Sequence, residues 1–323
     1  MSLRFNKRAS NLAKFLTEKQ GQFGVKHEIL PNGSKIIDCG VYAPGSFEAG
    51  LIVANISVGG YANIALERRA VGGKVLYYTN MSLAKPGITT LCIQGAFPIF
   101  PDQKSLFYIS GPGRVLFKKP EEVYELLGYE EKPEEAVFII EDDEYPDPSF
   151  VERLSNESGY SPDRFTFILM PVPSKCGNVV ISSKTIELVT LNLLLTFNWD
   201  VRKITLAKSE APVMYIFSEE QNYLNLSPDD FMFYGGSVTI YVDEIDEKLE
   251  RIAPKLVFEN TPGFGKLFDE MVTEANGNIR DIKGYPLIFS PAKLTIVENM
   301  TGKSLTYGHD NIEYLLHLIS QRK

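Results

Sequence analysis

The chain has few of the residues on which metal sites and disulfide frameworks depend. Its 323 residues include only three cysteines and three histidines. Cys39, Cys92 and Cys176 are widely spaced and form no Cys-x-x-Cys pair, so neither a disulfide framework nor a zinc site is predicted. His309 and His317 do not have the four-residue spacing that places two side chains on adjacent turns of one helix. We therefore expect no metal site.

The sequence also lacks long apolar runs and an excess of positive charge. No stretch approaches the roughly 20 apolar residues of a membrane span, and residues 1–20 lack the apolar core of a signal peptide. The formal net charge is −8, whereas phosphate contacts require a basic surface. We expect a cytoplasmic protein that binds neither nucleic acid nor a membrane.

Hydrophobic patterning predicts an α+β protein. Residues 3–18 carry apolar side chains at helical spacing, and short apolar runs separated by Gly, Pro and Asn follow as far as residue 116. Those runs predict strands at 27–30, 34–38, 50–57, 74–79, 89–93 and 105–109. The remainder predicts strands at 136–140, 164–171, 204–208, 213–217, 237–242 and 294–297, with helices from Pro120, at 148–155 capped by Asp147, and at 182–196, 263–275 and 311–320.

The change of pattern predicts two domains with a soft division near residue 130. The first is a strand-rich domain of residues 1–130, and the second is an α/β domain of residues 131–323. The C-terminal segment of the second could return to the first.

Four sequence blocks occur in the order and at the spacing found in one enzyme family. They are Asp38-Cys39-Gly40 with Gly45-Ser46-Phe47-Glu48-Ala49-Gly50, then Ser110-Gly111-Pro112-Gly113-Arg114, Phe233-Tyr234-Gly235-Gly236-Ser237-Val238, and Ser290-Pro291-Ala292-Lys293. Over nearly its whole length the chain resembles the methenyl-tetrahydromethanopterin cyclohydrolases. The resemblance implies two α/β domains with the substrate cleft between them, a homotrimer, a tetrahydromethanopterin derivative as substrate and no prosthetic group.

The resemblance implies hydrolysis of 5,10-methenyltetrahydromethanopterin to the 5-formyl compound in one-carbon metabolism. Water adds to the methenyl carbon that bridges two nitrogens, and one carbon–nitrogen bond then breaks. The protein must supply a base for the water proton, an acid for the departing nitrogen and an orienting pocket. Metal, nucleotide and covalent intermediate are not required, which fits a chain without a Walker motif or a nucleophile elbow.

The candidate catalytic pair is Lys184 and Glu187. The two are three residues apart in a predicted helix and share a face, and a carboxylate at the mouth of an apolar helix is a candidate for a raised pKa. A Lys/Glu pair at this spacing is ordinarily a solvated ion pair. The resemblance favours catalysis, because this segment aligns with the family helix whose Arg and Glu, at the same spacing, are the catalytic pair.

The chain departs from the family pattern at two of the expected catalytic positions. Lys184 stands at the arginine position and lacks the planar guanidinium fork. Ala84 stands where the family carries an aspartate that assists the reacting water, so the site has one carboxylate in place of two unless Asn80, Ser82 or another nearby polar group substitutes. These departures leave open an alternative, a pterin-binding paralogue with little or no cyclohydrolase activity that acts in cofactor assembly or as a partner protein.

Two glycine-containing blocks are candidate substrate-binding segments. The loop Ser110, Gly111, Pro112, Gly113, Arg114 offers N–H groups, a hydroxyl and a guanidinium suited to an oxyanion or a pterin carbonyl, or else it is a turn. Tyr234, Gly235 and Gly236 either let the backbone approach a flat ring or simply precede a strand.

Acidic and aromatic side chains complete the candidates. A carboxylate suits the aminopyrimidine edge of a pterin, and we assign Glu48 as that ligand and Asp38 as a structural turn cap. The aromatic tract 97–101 and the aromatic residues 231–234 are interpreted as core or subunit interface.

Overall fold

The computed structural model describes residues 4–100, 109–214 and 226–321. The chain forms two compact units, of which unit 1 comprises Met1–Ala62 and Ile88–Val180 and unit 2 comprises Asn63–Gly87 and Ile181–Lys323. Both units mix helices with a sheet, so the predicted α+β class is confirmed. The chain does not divide once near residue 130 as the sequence suggested, and its C-terminal segment stays in unit 2.

The elements of the described residues are as follows. The strands are β1 Lys26–Ile29, β2 Lys35–Asp38, β3 Ala62–Val71, β4 Lys74–Ala84, β5 Ile109–Ser110, β6 Ala136–Ile140, β7 Phe165–Leu169, β8 Ile204–Val213, β9 Ser237–Val242, β10 Lys293–Glu298 and β11 Ser304–Gly308. The α-helices are α1 Phe5–Glu18, α2 Gln20–Phe23, α3 Phe47–Ser57, α4 Glu121–Leu127, α5 Pro148–Ser158, α6 Lys175–Ser182, α7 Thr185–Leu191, α8 Pro228–Gly235, α9 Glu247–Ile252, α10 Phe268–Glu274 and α11 Ile312–Ser320.

The sheet of unit 1 has the order β1-β2-β7-β6-β5. Its three inner strands β2, β7 and β6 are parallel, and β1 and β5 are antiparallel edges. Every residue of β6 and β7 is buried, as expected for parallel strands covered on both faces. Their continuous apolar runs are the reason that the sequence predicted them correctly.

The sheet of unit 2 has the order β11-β10-β9-β8-β4-β3. The pairings β4/β8, β8/β9 and β10/β11 are antiparallel, whereas β9/β10 is parallel. Burial alternates along β9, with Val238, Ile240 and Val242 inside, so one face of the sheet packs on a core and the other is half exposed.

Several predicted elements are wrong, and two of the errors share a cause. Residues 50–57 lie in α3, and residues 89–93 lie in the π-helix Gly87–Gln94, although both runs were predicted to be strands. Both are apolar and rich in β-branched residues, a pattern that does not separate a buried strand from a buried helix. The strands β3 and β11 were missed, 204–208 is part of the longer β8, and residues 105–108 and 215–217 lie outside the described residues.

Among the described residues, no single helix is long and apolar enough to cross a membrane. Lys175–Ser182 and Thr185–Thr196 reach that length and composition only as a pair bent by 42°. Core side chains along this pair, such as Val179, Ile186 and Leu193, are fully buried within the protein.

Candidate functional site

The candidate catalytic residues lie at a break between two helices. Helix α6 ends at Ser182, and α7 begins at Thr185 after a bend. Lys184 is the N-cap residue of α7 and is only 8% exposed. Glu187 is half-buried in the first turn of α7, where the partial positive charge of the helix N-terminus favours a carboxylate. A buried cation and a half-buried carboxylate therefore flank the start of one helix.

Hydrogen bonds to main-chain carbonyls build this break. The N–H of Lys184 donates to the carbonyl of Ile181 over 2.9 Å, and Thr185 Oγ1 donates to the carbonyl of Ser182 over 2.9 Å. Thr79 Oγ1, from strand β4, lies 3.2 Å from the same Ser182 carbonyl. The last carbonyls of a helix have no partner within it, so these contacts fix where α6 stops and how α7 starts.

Gly236 brings a predicted binding block against the catalytic segment. A Cβ at this position would lie 2.4 Å from the Met232 carbonyl oxygen and 2.9 Å from Thr185 Cγ2. Both distances are too short for a side chain, so glycine is required for this approach. The structure thus places the end of α8 beside the start of α7, within unit 2.

Tyr234 is the buried anchor of that block. Its hydroxyl donates to the Lys266 carbonyl over 2.8 Å and accepts the Gly265 N–H over 3.0 Å. Burial raises the pKa of this phenol. The hydroxyl thus acts as both donor and acceptor in holding the loop 264–266. Gly235 and Gly236 are the residues of the block whose main chain a flat ring could approach closely.

The loop Ser110–Arg114 lies in unit 1 and is tightly packed. The Gly111 N–H donates to the Ile93 carbonyl over 2.8 Å, and a Cβ on Gly113 would lie 2.6 Å from the Phe138 ring. The Ser110 hydroxyl is buried and has no hydrogen-bond partner within the described part of the chain.

Arg114 serves the conformation of this loop. Its guanidinium donates to the carbonyls of Gly95 and Lys119, lies 5.0 Å from the Phe97 ring centroid and is 1% exposed. Its two terminal nitrogens therefore bind main chain, which favours a structural role for this predicted ligand.

The two acids of the N-terminal block differ sharply. Asp38 is fully buried, and its carboxylate accepts hydrogen bonds from the N–H groups of residues 40 to 43. The structural role predicted for Asp38 is confirmed. Glu48 is exposed in the first turn of α3, which Ser46 caps by accepting the Ala49 N–H over 3.0 Å. Its role as a ligand stays a prediction.

Asn80 and Ser82, the named candidates to replace the missing aspartate, lie on strand β4 with Ala84. Ala84 is exposed at the end of β4. Asn80 is next to Thr79, and successive side chains of a strand point to opposite faces, so Asn80 points away from the face on which Thr79 contacts Ser182. Thr79, which sequence reasoning missed, is a β4 residue that contacts the helix break.

The predicted aromatic tract belongs largely to the core. Phe100 packs in the apolar core of unit 1, and Phe231, Phe233 and Tyr234 are fully buried in unit 2. Phe97 is half-buried against Arg114. Of the two predicted environments for Phe100, core or subunit interface, the structure shows the core.

No group of three His, Cys, Asp or Glu side chains in the described ranges could hold a metal ion. A groove of about 910 Å³ lies in unit 1, lined mainly by charged residues of α1 and of the loop 130–135. It contains none of the predicted site residues.

The fold and the helix break together define an α+β protein with a candidate acid–base site. A family model described as "Cyclohydrolase (MCH)" matches residues 4–318, and the chain belongs to this family. It is 31% identical to the methenyltetrahydromethanopterin cyclohydrolase of Methanococcus maripaludis strain C7 over 294 residues, which are 88% of each chain.

Two further relatives carry the same name. The protein of Methanocaldococcus jannaschii is 30% identical over 318 residues, 97% of each chain. That of Methylobacillus flagellatus is 29% identical over 303 residues, which cover 94% of this chain and 91% of the relative.

Proposed function

We propose that this chain hydrolyses 5,10-methenyltetrahydromethanopterin to 5-formyltetrahydromethanopterin. The observation that carries the proposal is family membership over residues 4–318, together with relatives of that name that align over 88% or more of both chains. The alternative of a pterin-binding paralogue with little or no cyclohydrolase activity is not favoured, because relatives named as cyclohydrolases align with nearly the whole chain.

The reaction needs three proton transfers, releases one proton overall and involves no redox step. A water oxygen forms a bond to the methenyl carbon and loses a proton, which neutralises the amidinium as a carbinolamine. The carbon–nitrogen bond to the second nitrogen then breaks, that nitrogen receives a proton, and the remaining hydroxyl proton is lost as the formyl carbonyl forms. One carboxylate can take the first proton and return it to the departing nitrogen.

Glu187 is the residue that we assign to this acid–base role. It is half-buried in the first turn of α7, close to the partial positive charge of the helix N-terminus. Lys184 supplies a buried positive charge at the N-cap of the same helix. Such a cation would stabilise negative charge as it develops on the attacking oxygen.

Substrate contacts are assigned to the predicted binding blocks. In unit 2, the main chain at Gly235 and Gly236 offers close approach beside Thr185. In unit 1, we assign contact to the Ser110 hydroxyl, to the main chain of Gly111, Pro112 and Gly113, and to Glu48, whereas Arg114 holds this loop through main-chain carbonyls. We further propose that the chain forms a homotrimer in the cytoplasm and that the pterin is its small-molecule partner.

An absorbance assay of hydrolysis, combined with calorimetry of binding, tests the proposed function. The purified chain should remove the absorbance of the conjugated methenyl group and yield the 5-formyl compound, while calorimetry reports binding of the 5-formyl product. Binding without hydrolysis would restore the paralogue alternative. Absence of both at millimolar ligand would contradict the proposed substrate class.

A further inference from the structure

We infer that Thr79 is a positioning residue for the Lys184–Glu187 pair, acting through the Ser182 carbonyl. The inference rests on the proposed function, and it assigns to strand β4 a part in the reaction that its sequence does not signal. Thr79 itself is 2% exposed, which fits a residue that acts through another rather than by touching substrate.

The first observation is that the Ser182 carbonyl is held from two sides. Thr185 Oγ1 reaches it from the helix that follows, over 2.9 Å, and Thr79 Oγ1 reaches it from the sheet, over 3.2 Å. The contact from Thr185 is local and moves with α7. The contact from Thr79 ties this carbonyl to a different element, strand β4.

The second observation is the rigidity of the element that carries Thr79. Strand β4 is an inner strand, paired with β8 over the whole register from Tyr77–Val213 to Ala84–Leu206. Thr79 Oγ1 also lies 3.3 Å from the carbonyl of Ala211, its partner in that register. A hydroxyl on such a strand has a fixed position, against which a short helix–helix connection can be aligned.

The third observation is the short path from this carbonyl to the catalytic pair. Only Ser183 separates Ser182 from Lys184, and both Ser183 and Thr185 are fully buried. Gly236 packs against Thr185 from the other direction, as its virtual Cβ distance of 2.9 Å to Thr185 Cγ2 shows. We infer that a shift of the Ser182 carbonyl would be passed to the N-cap and first turn of α7, because closely packed protein interiors transmit displacements.

Replacement of Thr79 by valine tests this inference, because valine keeps the shape and removes the hydroxyl. We expect kcat to fall about tenfold with KM nearly unchanged, since small displacements of catalytic groups affect the chemical step more than binding. Thr79→Ser, which restores a hydroxyl, should recover most of the lost kcat. The amide of Lys184 should exchange with solvent faster in Thr79→Val than in Thr79→Ser, which reports the loosened break without reference to activity.

Thr261→Val is the matched control. Thr261 is a buried threonine of unit 2 whose Oγ1 donates to the Phe258 carbonyl over 2.8 Å, away from the helix break. It should lower thermal stability about as much as Thr79→Val and leave kcat per folded enzyme unchanged.

The outcomes separate this inference from the proposed function. An active wild type with equal kcat in Thr79→Val and Thr261→Val would overturn the positioning role alone, as would failure of Thr79→Ser to recover activity. An inactive wild type would instead overturn the proposed function, and the positioning role with it.

Discussion

Asp38 in unit 1 and Glu187 in unit 2 are carboxylates that the fold treats in opposite ways. Asp38 is fully buried and accepts four main-chain N–H groups at 2.7 to 3.0 Å, so its charge is committed to one loop. Glu187 is half-buried in the first turn of a helix and keeps part of its surface accessible. The difference separates an acid that shapes the chain from one to which we assign the exchange of a proton.

The largest effect that tests this contrast is expected from Glu187→Gln. Glutamine keeps the shape but cannot take a proton, so turnover should fall about a hundredfold or more, the scale of a lost general acid–base. Initial rates measure the loss of turnover. Thermal unfolding measures stability, which we expect to be unchanged.

Glu247→Gln is the matched control for that change, because Glu247 is an exposed glutamate in the first turn of α9. Its turnover should equal that of the wild type. Equal turnover in Glu187→Gln as well would remove Glu187 from the mechanism.

Asp38→Asn should show the reverse pattern. Asparagine keeps one acceptor oxygen and directs an NH₂ group at main-chain donors, which leaves buried N–H groups without partners. We expect a loss of about 2 kcal/mol in the free energy of unfolding. Denaturant titration measures it, and turnover per folded molecule should change much less than in Glu187→Gln.

The same substitution at an exposed acid provides the control. Asp147 caps α5 by accepting the Ser149 N–H over 2.7 Å, and asparagine caps helices equally well. Asp147→Asn should therefore be nearly neutral. A loss of stability no larger in Asp38→Asn than in Asp147→Asn would contradict the structural role of Asp38.

Gly236→Ala sharpens the contrast within unit 2, because it perturbs stability and site together. The added methyl meets the Met232 carbonyl oxygen and Thr185 Cγ2, and overpacking of this kind costs about 2 kcal/mol. We expect lower stability and lower turnover per folded molecule, measured by unfolding and initial rates. Gly21→Ala, with nothing within 4 Å of the new Cβ, should affect neither.

The smallest effect is expected from Lys184→Arg. If Lys184 does the work of the family arginine less effectively, arginine at this position should maintain or raise turnover, since it keeps the charge and adds the planar guanidinium. Steady-state kinetics against wild type measure this. A clear fall would show that the buried N-cap of α7 is shaped around a compact ammonium group.

The sequence predicted elements well where burial alone decides them. Strands β6 and β7 are apolar at almost every position because both faces are covered, and a run of that length fits a strand. Helix α3 was mistaken for a strand because its apolar residues leave no polar face to show a helical period. The Ser46 cap at its start was a usable signal for a helix.

The candidate site was only partly accessible to sequence reasoning. Lys184 and Glu187 are close in the chain, so their proximity follows from spacing, but the break that makes Lys184 the N-cap of α7 interrupts the single helix predicted over 182–196. Thr79 contacts a carbonyl 103 residues away, and nothing in the local sequence of β4 signals that contact. The sequence predicts Arg114 as a substrate ligand, because a guanidinium in a glycine-containing loop suits anions. In the fold the guanidinium instead donates to main-chain carbonyls.

The interleaving of the two units along the chain has a consequence for the order of events during synthesis. Unit 1 can complete its sheet as soon as β7 has left the ribosome, because all its strands precede residue 170. The β3 and β4 strands emerge earlier, yet β4 must wait for β8 before both of its edges are paired. Until then this nascent hairpin presents an open strand edge, the kind of surface on which chains pair with one another and on which chaperones act.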